Sequence, residues 1–173
     1  MRRTHLLSLA ILVSLSSSFA QPELKRNDFV VGRIAIDSSV GSALPYLAKP
    51  LRIDSLFDEE VGGFTVYHFT GLTIWAETHS GKISSFDVSS KAFSTQRGLH
   101  AGDSVNKLVR LYGKRPSEKQ LNRLHDNYDT SFKDFTELKI YEYRKPNEPV
   151  LYAVFYIKNS KVIKIYMCMG LGC

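Results

Sequence analysis

Apolar residues recur along the chain at two spacings, and the spacing divides it into elements. At the helical spacing i, i+3, i+4, i+7 stand Val40, Ala43, Leu44 and Leu47, and again Val105, Leu108, Val109 and Tyr112. Each set forms one apolar stripe that has to lie on another element. Pro45 falls inside the first stripe and shortens or kinks that helix, because proline lacks the amide donor. Asp37 or Ser38 and Asp103 are candidate N-caps, and Gly113 with Pro116 beyond it is a left-handed stop for the second helix. Alternation with period two marks strands at 64–69, 72–78, 83–88, 138–144, 150–157 and 162–167, with a further strand at 29–36. Thr70-Gly71, His79-Ser80-Gly81, the segment 145–149 and Asn159-Ser160 supply turns short enough to imply antiparallel meanders. The segment 117–135, rich in charge, reads as a polar excursion containing one short helix.

The order of these elements repeats. The stretch from Ser39-Val40 to Leu47-Ala48-Lys49-Pro50 echoes that from Ser104-Val105 to Tyr112-Gly113-Lys114-Arg115-Pro116. The stretch Leu72-Thr73-Ile74-Trp75-Ala76-Glu77 with Ser80-Gly81-Lys82-Ile83 echoes Leu151-Tyr152-Ala153-Val154-Phe155-Tyr156 with Asn159-Ser160-Lys161-Val162. The expected architecture is therefore α+β, two tandem repeats over 21–94 and 95–173, each a helix packed on an antiparallel β-meander. The helix capped at Gly102-Asp103-Ser104-Val105 and ending Tyr112-Gly113-Lys114, followed by three aromatic-rich strands, resembles the tandem-repeat fold of the secreted β-lactamase inhibitor proteins and the small envelope lipoproteins related to them. That resemblance implies the fold.

Residues 1–20 have the three parts of a secretory signal: basic Arg2 and Arg3, an apolar run from Leu6 to Leu15, and small residues ending in Ser18 and Ala20 ahead of Gln21. The run is too short to span a bilayer comfortably, and no later stretch is long and apolar enough to do so, so the mature chain is expected to be secreted or periplasmic with no transmembrane segment. Removing Arg2 and Arg3 from the 23 basic residues leaves 21 against 17 acidic ones, spread along the chain without forming a patch. Such a distribution argues against nucleic acid as a partner. In an oxidising compartment Cys168 and Cys173, separated by Met169-Gly170-Leu171-Gly172, are expected to pair locally, with inter-chain pairing through Cys173 as the alternative.

No chemistry-bearing motif stands out. His68, His79, His100 and His125 lack metal-ligand spacing, no serine sits in a nucleophile elbow, and glycine-rich phosphate loops are missing, so neither a metal site nor a cofactor is expected. Lys107, Arg110 and Lys114 line one side of the second helix and read as a solvated face. The strands say more. Alternation separates Leu72, Ile74, Ala76 and Leu151, Ala153, Phe155, Ile157, which should face the helices, from Trp75, Tyr152, Tyr156 and Tyr166 on the opposite face beside Glu77 and Lys164. Amphipathic rings with polar neighbours suit a protein interface. The competing reading has this face covered by the other half of the chain or by 117–135. The function expected is non-catalytic binding of another exported or envelope protein through Trp75, Glu77, Tyr152, Tyr156 and Tyr166. The alternatives are a small secreted hydrolase whose site assembles only in the fold, and an envelope structural component.

Overall fold

The structure, a computed structural model, describes residues 24–59, 62–113, 118–120, 138–144 and 151–169. The described residues begin with an N-terminal 3-10 turn, Arg26–Asp28, and a small hairpin, β1 (Val30–Val31) and β2 (Ile34–Ala35), followed by the single-turn helix α1 (Val40–Ala43), whose run into the 3-10 turn Leu44–Tyr46 carries Pro45. Strands β3 (Arg52–Asp58), β4 (Gly62–Phe69), β5 (Leu72–Glu77) and β6 (Ile83–Val88) form a meander. After the two-turn helix α2 (Val105–Tyr112) come β7 (Glu118–Gln120), β8 (Lys139–Arg144), β9 (Leu151–Lys158) and β10 (Lys161–Met169). All eight of these strands pair antiparallel in one sheet of order β3-β4-β5-β6-β10-β9-β8-β7, closed at its middle by β6 against β10.

The expected α+β class is overturned, and with it the two tandem repeats of a helix packed on a meander. Among the described residues α-helix is confined to α1 and α2, and the protein is mostly β, built on the eight-stranded sheet. Pro45 ends α1 after one turn, and α2 stops at Gly113, whose φ of 88° leaves the helical region. Two strands were not expected at all. In β3 the adjacent Leu56-Phe57 breaks the alternation, and Glu118-Lys119-Gln120, read as part of a polar excursion, is instead the short edge strand β7. The segment 29–36 is two two-residue strands around a turn at Gly32 (φ 59°), where one longer strand was expected.

The caps also differ from expectation. Ser104 caps α2 by accepting from the Lys107 amide at 3.2 Å, while Asp103 accepts from the His100 amide and the Lys107 ammonium, both at 2.7 Å. Ser39, without a side-chain bond, precedes α1; Asp37 adopts φ 67° and accepts from Lys82 at 2.9 Å and Arg26 at 2.6 Å. The Lys82 hydrogen bond chiefly, with the charges of Lys82 and Arg26, holds the Asp37 carboxyl below its ordinary value against its own modest desolvation.

Two turns show why the strands fall where they do. Asn159 and Ser160 take φ values of 52° and 57°, the paired left-handed conformation of a two-residue turn whose twist matches the β9–β10 hairpin. Gly71 (φ 68°) joins β4 to β5, and a side chain there would meet the Ser90 Cβ at 2.5 Å.

The core lies on one face of the sheet. Leu72, Ile74, Ala76, Ile83, Phe86, Val88, Leu151, Ala153, Phe155, Ile157, Ile165 and Met167 are buried there against Phe29, Val31 and Ile34 of the N-terminal hairpin region, Val40 and Ala43 of α1, Leu99, and Leu108 and Tyr112 of α2. Tyr112, Tyr143 and Phe155 form its aromatic centre, with centroid separations of 4.8 to 5.6 Å. A half-buried ion pair ties the outer layer together: Arg97 donates to Asp28 through Nε at 2.7 Å and through a second, shorter contact. The same guanidinium donates to the Leu111 carbonyl at 2.8 Å and lies 5.0 Å from the Tyr112 ring centroid. One arginine therefore fastens the N-terminal turn to the end of α2.

Candidate functional site on the second sheet face

The face away from the helices carries a different chemistry. Cross-strand register places Thr73 and Tyr166 on either side of Asp87, Trp75 beside Ser85, and Tyr156 beside Lys164. Trp75 and Tyr166 meet edge to face, their centroids 6.3 Å apart and their planes at 89°, the arrangement in which a positive ring edge addresses a negative ring face. Next to them the Lys164 ammonium lies 3.2 Å from the Asp87 carboxylate and 5.8 Å from the Tyr156 centroid. Both charges are nearly buried, at 7% and 8% exposure. Desolvation pushes the Tyr166 phenol above its ordinary pKa, a shift that the Ser85 hydrogen bond partly offsets.

Two strand irregularities build this arrangement. In β10 the register against β9 shifts between Val162 and Lys164, so Val162 stays in the core while Ile163 and Lys164 both belong to the second face. Strict alternation from Val162 would have driven the ammonium into the apolar core. A second shift, between Trp75 and Ala76 opposite β6, makes Ser84 the extra residue; its hydroxyl donates to the Trp75 carbonyl at 3.2 Å, and Ile83 and Phe86 both remain in the core. Beyond the charges, Leu138, Ile140, Val154 and Tyr156 form a separate buried apolar cluster with Tyr152, Ile163 and Tyr166 packed on it. Among the described residues, that cluster draws only on Leu138 and strands β8 to β10.

The residues singled out from sequence divide accordingly. Trp75, Tyr152 and Tyr166 are half-buried on the second face, and Tyr156 is buried at 2% exposure and supports the others from beneath. Glu77 is half-buried at the end of β5, where the Ser80 hydroxyl donates to its carboxylate at 2.6 Å. Asp87, absent from the sequence reading, is the residue that anchors Lys164. A charged residue inside an otherwise apolar Phe86-Asp87-Val88 strand end was the available signal. Cys168 is buried in β10, and Cys173 lies outside the described residues, so their pairing remains an expectation.

His68 engages Asp54 at 2.9 Å on the β3–β4 edge, with Arg52 2.8 Å from the same carboxylate, and the His100 ring contacts the Lys91 carbonyl at 2.9 Å. Among the described residues neither imidazole is bonded to a serine, threonine or cysteine. Among the described residues no three His, Cys, Asp or Glu side chains converge as metal ligands, and no helix is long and apolar enough to cross a membrane.

No family model matches the chain, and no curated protein sequence does. Among solved structures, an extracellular protein containing an SCP domain from Bacillus anthracis, determined at 1.5 Å, is similar with a TM-score of 0.48 and 14% identity. The match covers 79% of this chain but 44% of that one, so the chain spans less than half the length of this neighbour. The comparisons return no β-lactamase inhibitor repeat. What stands is a β-rich fold.

Proposed function

We propose that the chain is an exported, non-catalytic binding protein that holds another exported or envelope protein on the second sheet face. The observation that carries this reading is the perpendicular Trp75–Tyr166 pair, half-buried and seated beside the nearly buried Asp87–Lys164 ion pair. Two-torsion rings fixed from below lose little freedom on binding and offer both apolar area and a polar tip, which is what interface anchors require. Tyr152 extends the platform and Glu77 borders it, while Tyr156 supplies packing underneath. Export rests on the basic, apolar and small-residue succession over 1–20, and a Cys168–Cys173 disulfide belongs to the same oxidising setting.

The test uses the exported protein, whose mass should place its first residue at Gln21. Immobilised wild type and Trp75→Ala are challenged with the exported fraction of the native source, and the affinity of each retained protein is then measured. A true partner should lose about 2 kcal/mol or more with the variant if the ring is an anchor. Because Trp75 is the chain's one tryptophan, acrylamide quenching of its fluorescence reports independently whether the ring is reachable. A tryptophan shielded from quencher, or a partner bound equally by Trp75→Ala and by the milder Trp75→Tyr, overturns the proposal.

A further inference from the structure

The two edges of the sheet are unequal. The β7 edge is three residues long and carries Glu118 and Lys119, the kind of short, charged edge that resists pairing with another chain. The β3 edge is seven residues long and contains no proline, lysine or glycine. It exposes Ile53 at 56%, Leu56 at 54% and Phe57 at 80%, and with Leu51 at 74% just before the strand these make the largest concentration of exposed apolar side chains among the described residues. An edge of this length and polarity is a template for another strand.

Hydrogen bonding on the far side of β4 shows which groups of β3 are free. The Thr78 amide donates to the Gly63 carbonyl at 2.8 Å, so odd-numbered residues of β4 bond toward β5 and even-numbered ones toward β3. Register pairs Arg52 with His68, Asp54 with Val66, Leu56 with Phe64 and Asp58 with Gly62. Ile53, Ser55 and Phe57 therefore turn their amides and carbonyls to the open edge.

We infer that β3 pairs antiparallel with β3 of a second copy, about a two-fold axis at Ser55. That register opposes Ile53 to Phe57 of the other copy twice over, an apolar pair of a β-branched residue and a ring of the kind that stabilises adjacent strands. It also sets Arg52 opposite Asp58, again twice, so the strand is complementary in charge to its own reverse. Shifting the axis by one residue either way brings Asp54 against Asp54 or against Asp58, and like charges directly opposite disfavour those registers. The complementarity selects a second copy of this chain over a foreign peptide, and it unites two sheets into one across an isologous contact. The inference does not depend on the Trp75 face, which belongs to a different part of the sheet.

Sedimentation velocity over a range of concentrations, on the mature chain with the Trp75 face intact, reads the outcome. Wild type should shift reversibly between monomer and dimer. Arg52→Asp should raise the dissociation constant at least about tenfold, because two attractive pairs become repulsive, and Arg52→Asp/Asp58→Arg should restore it. Ser55→Pro removes only an outward amide, leaves the bonds to β4 in place, and should be monomeric with an unchanged circular dichroism spectrum. A wild type that stays monomeric at the highest attainable concentration overturns the inference. So does a dimer indifferent to Arg52→Asp and Ser55→Pro, which would point to a contact elsewhere or to a disulfide through Cys173.

Discussion

The two faces of the sheet are made by the same strands, yet they solve burial differently. On the core face, side chains from β4 to β6 and β8 to β10 meet the N-terminal hairpin, α1 and α2 through apolar contact; polar groups enter as tyrosine hydroxyls such as that of Tyr143, which donates to the Gly113 carbonyl at 3.1 Å, and the Asp28–Arg97 pair lies in the outer layer away from the strands. On the second face a lysine and an aspartate sit nearly buried between rings. Apolar packing holds its shape through many weak contacts and tolerates substitutions of similar volume. A buried ion pair stabilises little in net terms but is costly to half-remove, so it fixes the positions of its neighbours. The second face is thus the more sharply positioned, and the less tolerant of change in its charged pair.

The largest break in this comparison comes from the core side. Phe155 is fully buried between Tyr112 and Tyr143, and Phe155→Ala should cost about 3–5 kcal/mol, the transfer term plus the cavity left among rings that cannot close over it. Urea unfolding measures it. A loss below about 1 kcal/mol, the level of an ordinary surface substitution, would mean that this face is not the organising core.

Much of that core was legible in the sequence because it follows from periodicity alone. Leu72, Ile74, Ala76, Leu151, Ala153, Phe155 and Ile157 lie where a repeat of two puts them, and the stripes Val40-Ala43 and Val105-Leu108-Val109-Tyr112 face the sheet as their spacing requires. What escaped depends on departures from periodicity or on contacts distant in the chain. The extra residues at Ser84 and Ile163 reset which side chains share a face, and nothing in their identity announces a bulge. Asp28 and Arg97 lie 69 positions apart, and their ion pair follows only from the fold. The α+β class fails because both helices are short: α1 ends at Ala43 ahead of Pro45, the shortening that proline implies, and α2 runs for two turns, too little helix to balance eight strands. The aromatic members of the candidate site could be read from alternation, whereas the pairing of Asp87 with Lys164, which makes the site rigid, depends on the bulge at Ile163 and could not.

A second break tests the charged pair. Lys164→Met keeps the length of the side chain but leaves the Asp87 carboxylate nearly buried without its ammonium partner, and should cost about 2–4 kcal/mol, toward the lower end of what stripping one member from a buried pair does. Asp87→Leu/Lys164→Met should recover most of that loss, since exchanging both charges for apolar groups is often close to neutral. A thermodynamic cycle over wild type, the two single variants and the double variant yields the coupling. Additive losses would show that the pair does not hold the platform together.

The smallest effect sharpens the contrast through pH. Desolvation raises the Tyr112 phenol to about 12, with nearby Thr95 offsetting only part of the shift, and the buried hydroxyl lacks a hydrogen bond of normal geometry among the described residues. A tyrosine in the unfolded chain titrates near about 10, so the folded state holds the proton more tightly and its advantage is complete below that pH. As pH rises from about 10 through about 12 the unfolded chain ionises first, and roughly 2–3 kcal/mol of stability should drain away through this one group. Tyr112→Phe removes the titration. Because the hydroxyl it deletes is unsatisfied, the variant should lie within about 1 kcal/mol of wild type at neutral pH, and its advantage over wild type should grow across the alkaline window. Other groups titrate there too, including Tyr166 on the second face, but they are common to both proteins and cancel in the difference between their urea midpoints. A difference that stays constant from pH 8 to pH 12 would mean that Tyr112 ionises as readily folded as unfolded, and that the core face is open to water where it is described as closed.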